Sequence, residues 1–207
     1  MKVIEPYYVI ETPIDGETIL AHIERCGRTC YKSEDKITAD SAKAFVSKII
    51  KSGHDSVIEH FSITVRFICD RGVSHELVRH RLASFSQEST RYCNYGKADE
   101  ITVINPCFFD EDDGNMEAFH TWRKAMQNAE KVYLTLIQQG ASPQEARSVL
   151  PNSLKTEVVM TANLREWRTI LKQRTSAAAH PQMRQLMIPL LSELQEKIPI
   201  VFEDIMF

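Results

Sequence analysis

Glycine is scarce in this 207-residue sequence, with seven residues in all. None falls in the G-x-x-x-x-G-K or G-x-G-x-x-G spacing whose backbone amides cradle phosphates. Any nucleotide must therefore be held by side chains. No apolar run approaches the ~18 residues of a membrane span. The opening MKVIEPYYVIETP lacks the apolar core and small-residue cleavage site of a signal peptide. A cytoplasmic protein with no membrane partner is expected. The five cysteines, Cys26, Cys30, Cys69, Cys93 and Cys107, are odd in number and scattered, without a C-x-x-C pair. Reduced thiols are the expectation, and Cys26 and Cys30, which would share a face if both were helical, do not make a zinc site by themselves. Internal repeats and interdomain linkers are also missing, so a single domain spanning 1–207 is expected. A chain of this length buries roughly 70% of its unfolded surface and needs no staple. Lys plus Arg is 25 against 28 Asp plus Glu, a net charge of −3. That balance argues against a protein that wraps nucleic acid.

What is present is an ordinary globular composition, 43% hydrophobic and 26% charged. Ala42, Phe45, Val46, Ile49 and Ile50 recur at helical spacing before Gly53. Phe119, Trp122, Met126, Ala129, Tyr133, Leu136 and Ile137 mark a longer helix ending at Gly140. Ser142-Pro143-Gln144-Glu145 reads as a capping box opening a short helix that Pro151 closes. Met183 to Leu194 predicts a C-terminal helix with Pro181 at its start and a kink at Pro189. Phe61, Ile63, Val65 and Phe67 alternate with polar residues as in a half-buried strand, and 101–104 and 156–162 are two more strand candidates. Few strands, several helices and no βαβ rhythm predict an α+β fold. The acidic run Asp110 to Asn115 reads as a solvated loop.

Charge is unevenly spread. Residues 66–97 hold Arg66, Arg71, Arg79, Arg81, Arg91 and Lys97 against Asp70, Glu76 and Glu88, a local +3 in a chain of −3. Val73, Leu77, Val78 and Leu82 suggest a helix running through Arg79-His80-Arg81, with a hydroxyl-rich loop after it. The plain alternative is a solvated face whose arginines pair with Glu76 and Glu88. On a helix, however, Arg79 and Arg81 diverge by ~200° and reach different partners. Arginine forks mixed with hydroxyls suit phosphate. A second basic segment follows Asn163-Leu164-Arg165-Glu166, which has the form of a helix cap with its capping-box Glu. On residues alone, two other classes stay open. A non-enzymatic phosphate or nucleic-acid-binding module would show steep salt dependence. A metallohydrolase on His54, His60, His75 and His80 would hold stoichiometric zinc, although no H-E-x-x-H occurs.

Arg79-His80-Arg81, with Ser89 after seven intervening residues, resembles the signature of flavin-dependent thymidylate synthases. The likeness extends through Gly53-His54-Asp55-Ser56 with Glu59-His60, through Ala146-Arg147-Ser148-Val149-Leu150-Pro151, and through Asn163-Leu164-Arg165. It ends in Arg174 followed by Ala179-His180-Pro181-Gln182-Met183-Arg184. Five blocks stand in the family order from about residue 53 to 184. The resemblance implies a thymidylate synthase-complementing-protein-like fold, with a small antiparallel sheet flanked by helices. It also implies methylation of dUMP to dTMP with 5,10-methylenetetrahydrofolate as carbon donor, and FAD reduced by NADPH as hydride source. A homotetramer with active sites shared between subunits is implied too.

By the same resemblance His54, Ser56, Glu59, Arg79, His80, Arg81, Gln87, Asn163, Arg165 and His180 fall at flavin positions. Glu76, Arg79, Gln87, Glu88, Ser89, Thr90, Arg91, Arg147 and Arg174 fall at dUMP positions. Arg174 is the expected catalytic residue, stabilising negative charge on the uracil ring. Gln87 stands where the family commonly has Glu, and Glu76 where it commonly has Gln. Thr169 stands where Asn or His is usual and is left outside the flavin set. None of the cysteines lies at a position the family uses, and Ser89 has no base recognisably paired with it in sequence. Ser89 is therefore expected to bind substrate, with no enzyme nucleophile on uracil.

Overall fold

The computed structural model describes residues 1–109 and 116–207; the acidic run at 110–115 lies outside them. In chain order the described residues form β1 (Lys2–Ile4), β2 (Tyr7–Ile10), α1 (Gly16–Arg28), α2 (Ser41–Lys51), β3 (Ser62–Asp70), α3 (Arg71–Leu77), β4 (Ala83–Gln87) and β5 (Thr102–Ile104). Then come α4 (Met116–Gln138), α5 (Pro143–Ala146), β6 (Lys155–Asn163), α6 (Leu164–Thr175), α7 (Pro181–Lys197) and α8 (Pro199–Phe202), with short 3₁₀ turns between some of them. The fold is α+β, with a small antiparallel sheet and helices. That four-stranded sheet has the order β2-β3-β6-β4. The additional pair β1-β5 is parallel, with Lys2, Val3 and Ile4 opposite Thr102, Val103 and Ile104.

Two compact units make up the chain. The first comprises residues 1–7, 67–79 and 86–159, the second residues 8–66, 80–85 and 160–207. In the first unit the apolar stripe of α4 buries Met126 and Tyr133 against Ile101, Val103, Ala146 and Leu154, with Trp122 and Ile137 packed alongside. The Ser142 backbone N–H donates to the Glu145 carboxylate at 2.8 Å, the expected box that starts α5.

In the second unit α1 starts at Asp15, whose carboxylate accepts from the Glu17 N–H, and buries Ile19, Leu20 and Ile23. Gly27 allows α2 to come close, because a Cβ there would stand 2.7 Å from the Phe45 ring. Helix α2 buries Val46 and Ile49, as its spacing predicts. It stops in a Schellman turn, with Gly53 N–H bonded to Ile50 O and His54 N–H to Ile49 O, both at 3.0 Å. Gly53 has φ +69°, which a side chain would resist. Helix α7 buries all six of its predicted apolar positions and continues through Pro189.

One sequence expectation fails at an informative place. The helix through Arg79-His80-Arg81 does not form: α3 ends at Leu77 and closes with Val78 N–H on Ser74 O and Arg79 N–H on Glu76 O. The triplet is a turn, so the helical divergence of its arginines does not apply. The stretch after it is the strand β4, not a loop. Ala83, Phe85 and Gln87 turn inward while Ser84 and Ser86 face solvent. The period of two was present, but small polar residues masked it.

Candidate functional site

The candidate residues divide between the two units. In the first, Asp70 caps α3 by accepting from the Val73 N–H at 2.7 Å, and α3 carries Glu76. Gln87, at the end of β4, donates its amide to Ser74 Oγ (3.0 Å) and Thr156 Oγ1 (3.3 Å). A carboxylate could not donate at either contact, so Gln87 serves here as a tie between protein groups. Glu88 is also engaged, accepting from the Tyr95 hydroxyl at 2.7 Å and from Lys155 Nζ at 3.0 Å. Lys155 also donates to Glu157 at 2.6 Å. Burial pulls the Lys155 ammonium down, but its bonds to Glu157 and Glu88 outweigh that and hold it above the usual lysine range. Burial and the bond to Glu88 push the Tyr95 phenol far up, so it remains a donor.

After β4 the chain makes one tight turn. Ser89 Oγ accepts from the Arg91 N–H at 3.3 Å, and the Ser89 carbonyl accepts from Tyr92 and Cys93. Thr90 is buried and accepts from Arg147 Nη1 at 3.3 Å. That bond brings together two dUMP candidates that lie 57 positions apart in the sequence. Arg91, Arg147 and Arg79 are all exposed. Hydroxyls beside exposed guanidinium forks suit a phosphate monoester.

In the second unit α6 is the organising element. Asn163 is its N-cap, accepting from the Glu166 N–H at 2.9 Å. Trp167 is fully buried and donates its indole N–H to Ile63 O at 3.0 Å. Arg168 holds the carboxylate of Asp204 with both nitrogens at 2.6 and 2.7 Å and also donates to the Val201 carbonyl. The Arg168 hydrogen bonds keep the Asp204 carboxyl below the usual carboxylate range. At the far end Arg184 donates to Thr175 O at 3.1 Å. These ties fix the last turn of α6, where Arg174 stands.

Arg174 meets the signature motif directly. Its Nε donates to Nε2 of His80 at 3.0 Å. His80 is buried, and its Nδ1 lies 3.7 Å from Oε1 of Glu166. Burial, and then the neighbouring Arg174 charge, lower the His80 pKa to about 4, so the ring is neutral at physiological pH. Burial raises the carboxyl of Glu166. Glu166 was expected to complete a capping box; instead its carboxylate faces the imidazole. Sequence reasoning missed this residue, because three positions after an Asn a Glu carries the signal of a cap and nothing more.

Glu59 pairs with Arg165 at 2.6 Å, both well exposed. Glu59, Arg81, Leu82, Ser84 and Asn163 line an open cleft of about 380 Å³ in the second unit. His54 instead lines a second cleft of about 660 Å³, together with Arg28, Tyr31, Lys36 and Lys48. Ser56 is exposed in the 3₁₀ turn Asp55–His60, and His180 is exposed at the start of α7. The donor set of the first cleft fits a flavin dinucleotide: Arg81 offers an exposed cation, Ser62, Ser84 and Thr161 offer hydroxyls, and Leu82, 75% exposed, offers an apolar face. Among the described residues no group of three or more His, Cys, Asp or Glu side chains is arranged to hold a metal ion. None of their helices is long and apolar enough to cross a membrane. All five cysteines are free.

The sequence matches the family model described as thymidylate synthase complementing protein over residues 16–200. Among similar curated proteins, the flavin-dependent thymidylate synthase of Corynebacterium aurimucosum is 34% identical over 202 residues, covering 89% of this chain and 79% of the relative. The protein of that name from Geobacter sulfurreducens is 32% identical, covering 89% and 81%, and that of Pyrococcus abyssi is 30% identical, covering 89% and 75%. The matched span contains all five signature blocks, from Gly53 to Arg184. The chain belongs to the thymidylate synthase complementing protein family, whose matched relatives are flavin-dependent thymidylate synthases.

Proposed function

We propose that the chain is an FAD-dependent thymidylate synthase that converts dUMP to dTMP, with 5,10-methylenetetrahydrofolate as carbon donor and NADPH as reductant. The observation that carries this reading is the contact of Arg174 with His80 of the signature motif, in a chain matching the family over residues 16–200. When bound, FAD supplies the hydride that completes the methyl group. His54, Ser56, Glu59, Arg79, His80, Arg81, Gln87, Asn163, Arg165 and His180 are the residues assigned to holding it. The cleft at Arg81 and Asn163 supports that assignment for part of the set.

Glu76, Arg79, Gln87, Glu88, Ser89, Thr90, Arg91, Arg147 and Arg174 are assigned to dUMP. Arg91 and Arg147 supply positive charge for the phosphate, and Ser89 supplies a neutral hydrogen bond. Gln87 and Glu88 spend side-chain bonds on Ser74, Thr156, Tyr95 and Lys155, so their part is to shape the turn that presents Ser89. Arg174 holds its guanidinium beside the uracil and stabilises the negative charge that develops there, without a covalent bond from the enzyme. The chain works as one domain, 1–207, in the cytoplasm. It assembles as a homotetramer with active sites shared between subunits, an assembly carried over from the family resemblance.

The test is dTMP formation from dUMP by the purified protein. Turnover should require NADPH, the folate and bound FAD together, and Arg174→Ala should abolish it while FAD stays bound. Absence of dTMP with all components present would refute the assignment.

A further inference from the structure

We propose that Glu166 is a positioning residue for the reaction, acting through the imidazole of His80 to fix the guanidinium of Arg174. This rests on the reading of Arg174 as the group that activates uracil.

The three side chains form a line within the second unit. Glu166 Oε1 stands 3.7 Å from Nδ1 of His80, and Nε2 of the same ring accepts from Arg174 Nε at 3.0 Å. Glu166 stands in the first turn of α6 and Arg174 in the last, so the imidazole spans two turns of one helix. An Nε2 that accepts a hydrogen bond carries no proton, so the ring must be neutral with its proton on Nδ1. The carboxylate on that side favours this tautomer by charge, although 3.7 Å is too long for a direct hydrogen bond. With the proton on Nε2 instead, two N–H groups would point at each other and Arg174 would have to leave its present orientation.

Burial makes the choice consequential. The side chains of His80 and Glu166 are only 7% and 11% exposed, so water cannot easily rescue a wrongly protonated ring. Two charged groups of α6 face His80, Glu166 at Nδ1 and Arg174 at Nε2. One favours a proton on Nδ1 and the other excludes a proton from Nε2, so both select the same state. Glu166 also stands apart from its helix cap, because the Asn163 side chain meets the backbone N–H of Glu166 and leaves the carboxylate free to face the ring. A misplaced cation loses much of its effect at the transition state, since an error near 1 Å can cost on the order of 100-fold in rate.

Glu166→Gln keeps the shape and removes the charge. In the FAD-loaded protein it should leave flavin occupancy and flavin reduction by NADPH within about threefold of wild type. It should slow the methylation half-reaction by about 10- to 100-fold. The same substitution in an Arg174→Lys background should add little. An inactive Arg174→Ala beside a Glu166→Gln variant with normal methylation would overturn the proposal and leave the reading of Arg174 intact. A wild-type rate in Arg174→Ala would overturn both. Should Glu166→Gln fail to fold, nitrogen NMR of the wild-type protein labelled at histidine decides the matter. A neutral His80 protonated on Nδ1 at pH 7 supports the arrangement, and a proton on Nε2 refutes it.

Discussion

Ser89 keeps its hydroxyl within its own turn, accepting from the Arg91 N–H at 3.3 Å. A side chain held that way is placed to bind an anion rather than to attack a ring. Ser89→Ala should therefore weaken dUMP binding by about tenfold, the worth of one hydrogen bond to a charged group, and leave measurable turnover. Complete loss of turnover with intact affinity would make Ser89 a nucleophile. His80 carries a different signature. Its folded pKa of about 4 lies below the ordinary 6.5 because burial and Arg174 penalise the imidazolium. The folded protein binds fewer protons than the unfolded one across that interval. The contribution of His80 to stability is thus complete above pH 6.5 and is lost as pH falls through about 4. Glu166 acts in the opposite sense, since its raised carboxyl favours the folded state at acid pH and loses that contribution as pH rises through its folded value. Melting temperature should fall between pH 6.5 and 4, and His80→Gln should flatten part of that fall; an unchanged profile would contradict the assignment.

Helix α6 carries Arg174, the residue proposed to act on uracil, and its anchors are few enough to test. Arg168 satisfies both oxygens of Asp204 and the Val201 carbonyl. Arg168→Met removes those bonds and leaves Asp204 with Lys172 Nζ at 3.6 Å, so with Asp204 partly exposed the cost should be about 2 kcal/mol, or about 5 °C in melting temperature for a chain of this size. Asn163→Ala, which removes the cap, should cost about 1 kcal/mol. Long elements with a strong apolar period were legible in advance: α2, α4, α7, β3 and β6 form where their spacing places them. The Asn163 cap and the Ser142 box also form, since both depend on contacts three residues apart. Helices α1 and α8 and strands β1, β2 and β4 have no such signal in the sequence reading. In β4 the inward positions include small and polar residues, so the strand is selected by its neighbours rather than by its own hydrophobicity. The candidate site shows the same division. Its arginines and hydroxyls stand out in the local charge, but Glu166 gains its place only when His80, 86 positions away, is folded beside it.

At the scale of the molecule, a net charge of −3 hides a grouping of cations that suits small anionic ligands. The first unit contains most of the dUMP candidates and the second most of the flavin candidates. The proposed tetramer predicts a mass in solution of four times 23.7 kDa, about 95 kDa. It also predicts specific activity that falls on dilution into dissociated chains, and full activity in a monomer of 23.7 kDa would rule out shared sites. The central question, whether this chain is a flavin-dependent thymidylate synthase, is answered most directly by its absorbance. The purified protein should be yellow, lose its flavin band when NADPH is added without oxygen, and regain it only when dUMP and methylenetetrahydrofolate are both supplied. A colourless protein unable to bind FAD, or a band that returns without dUMP, would contradict that function.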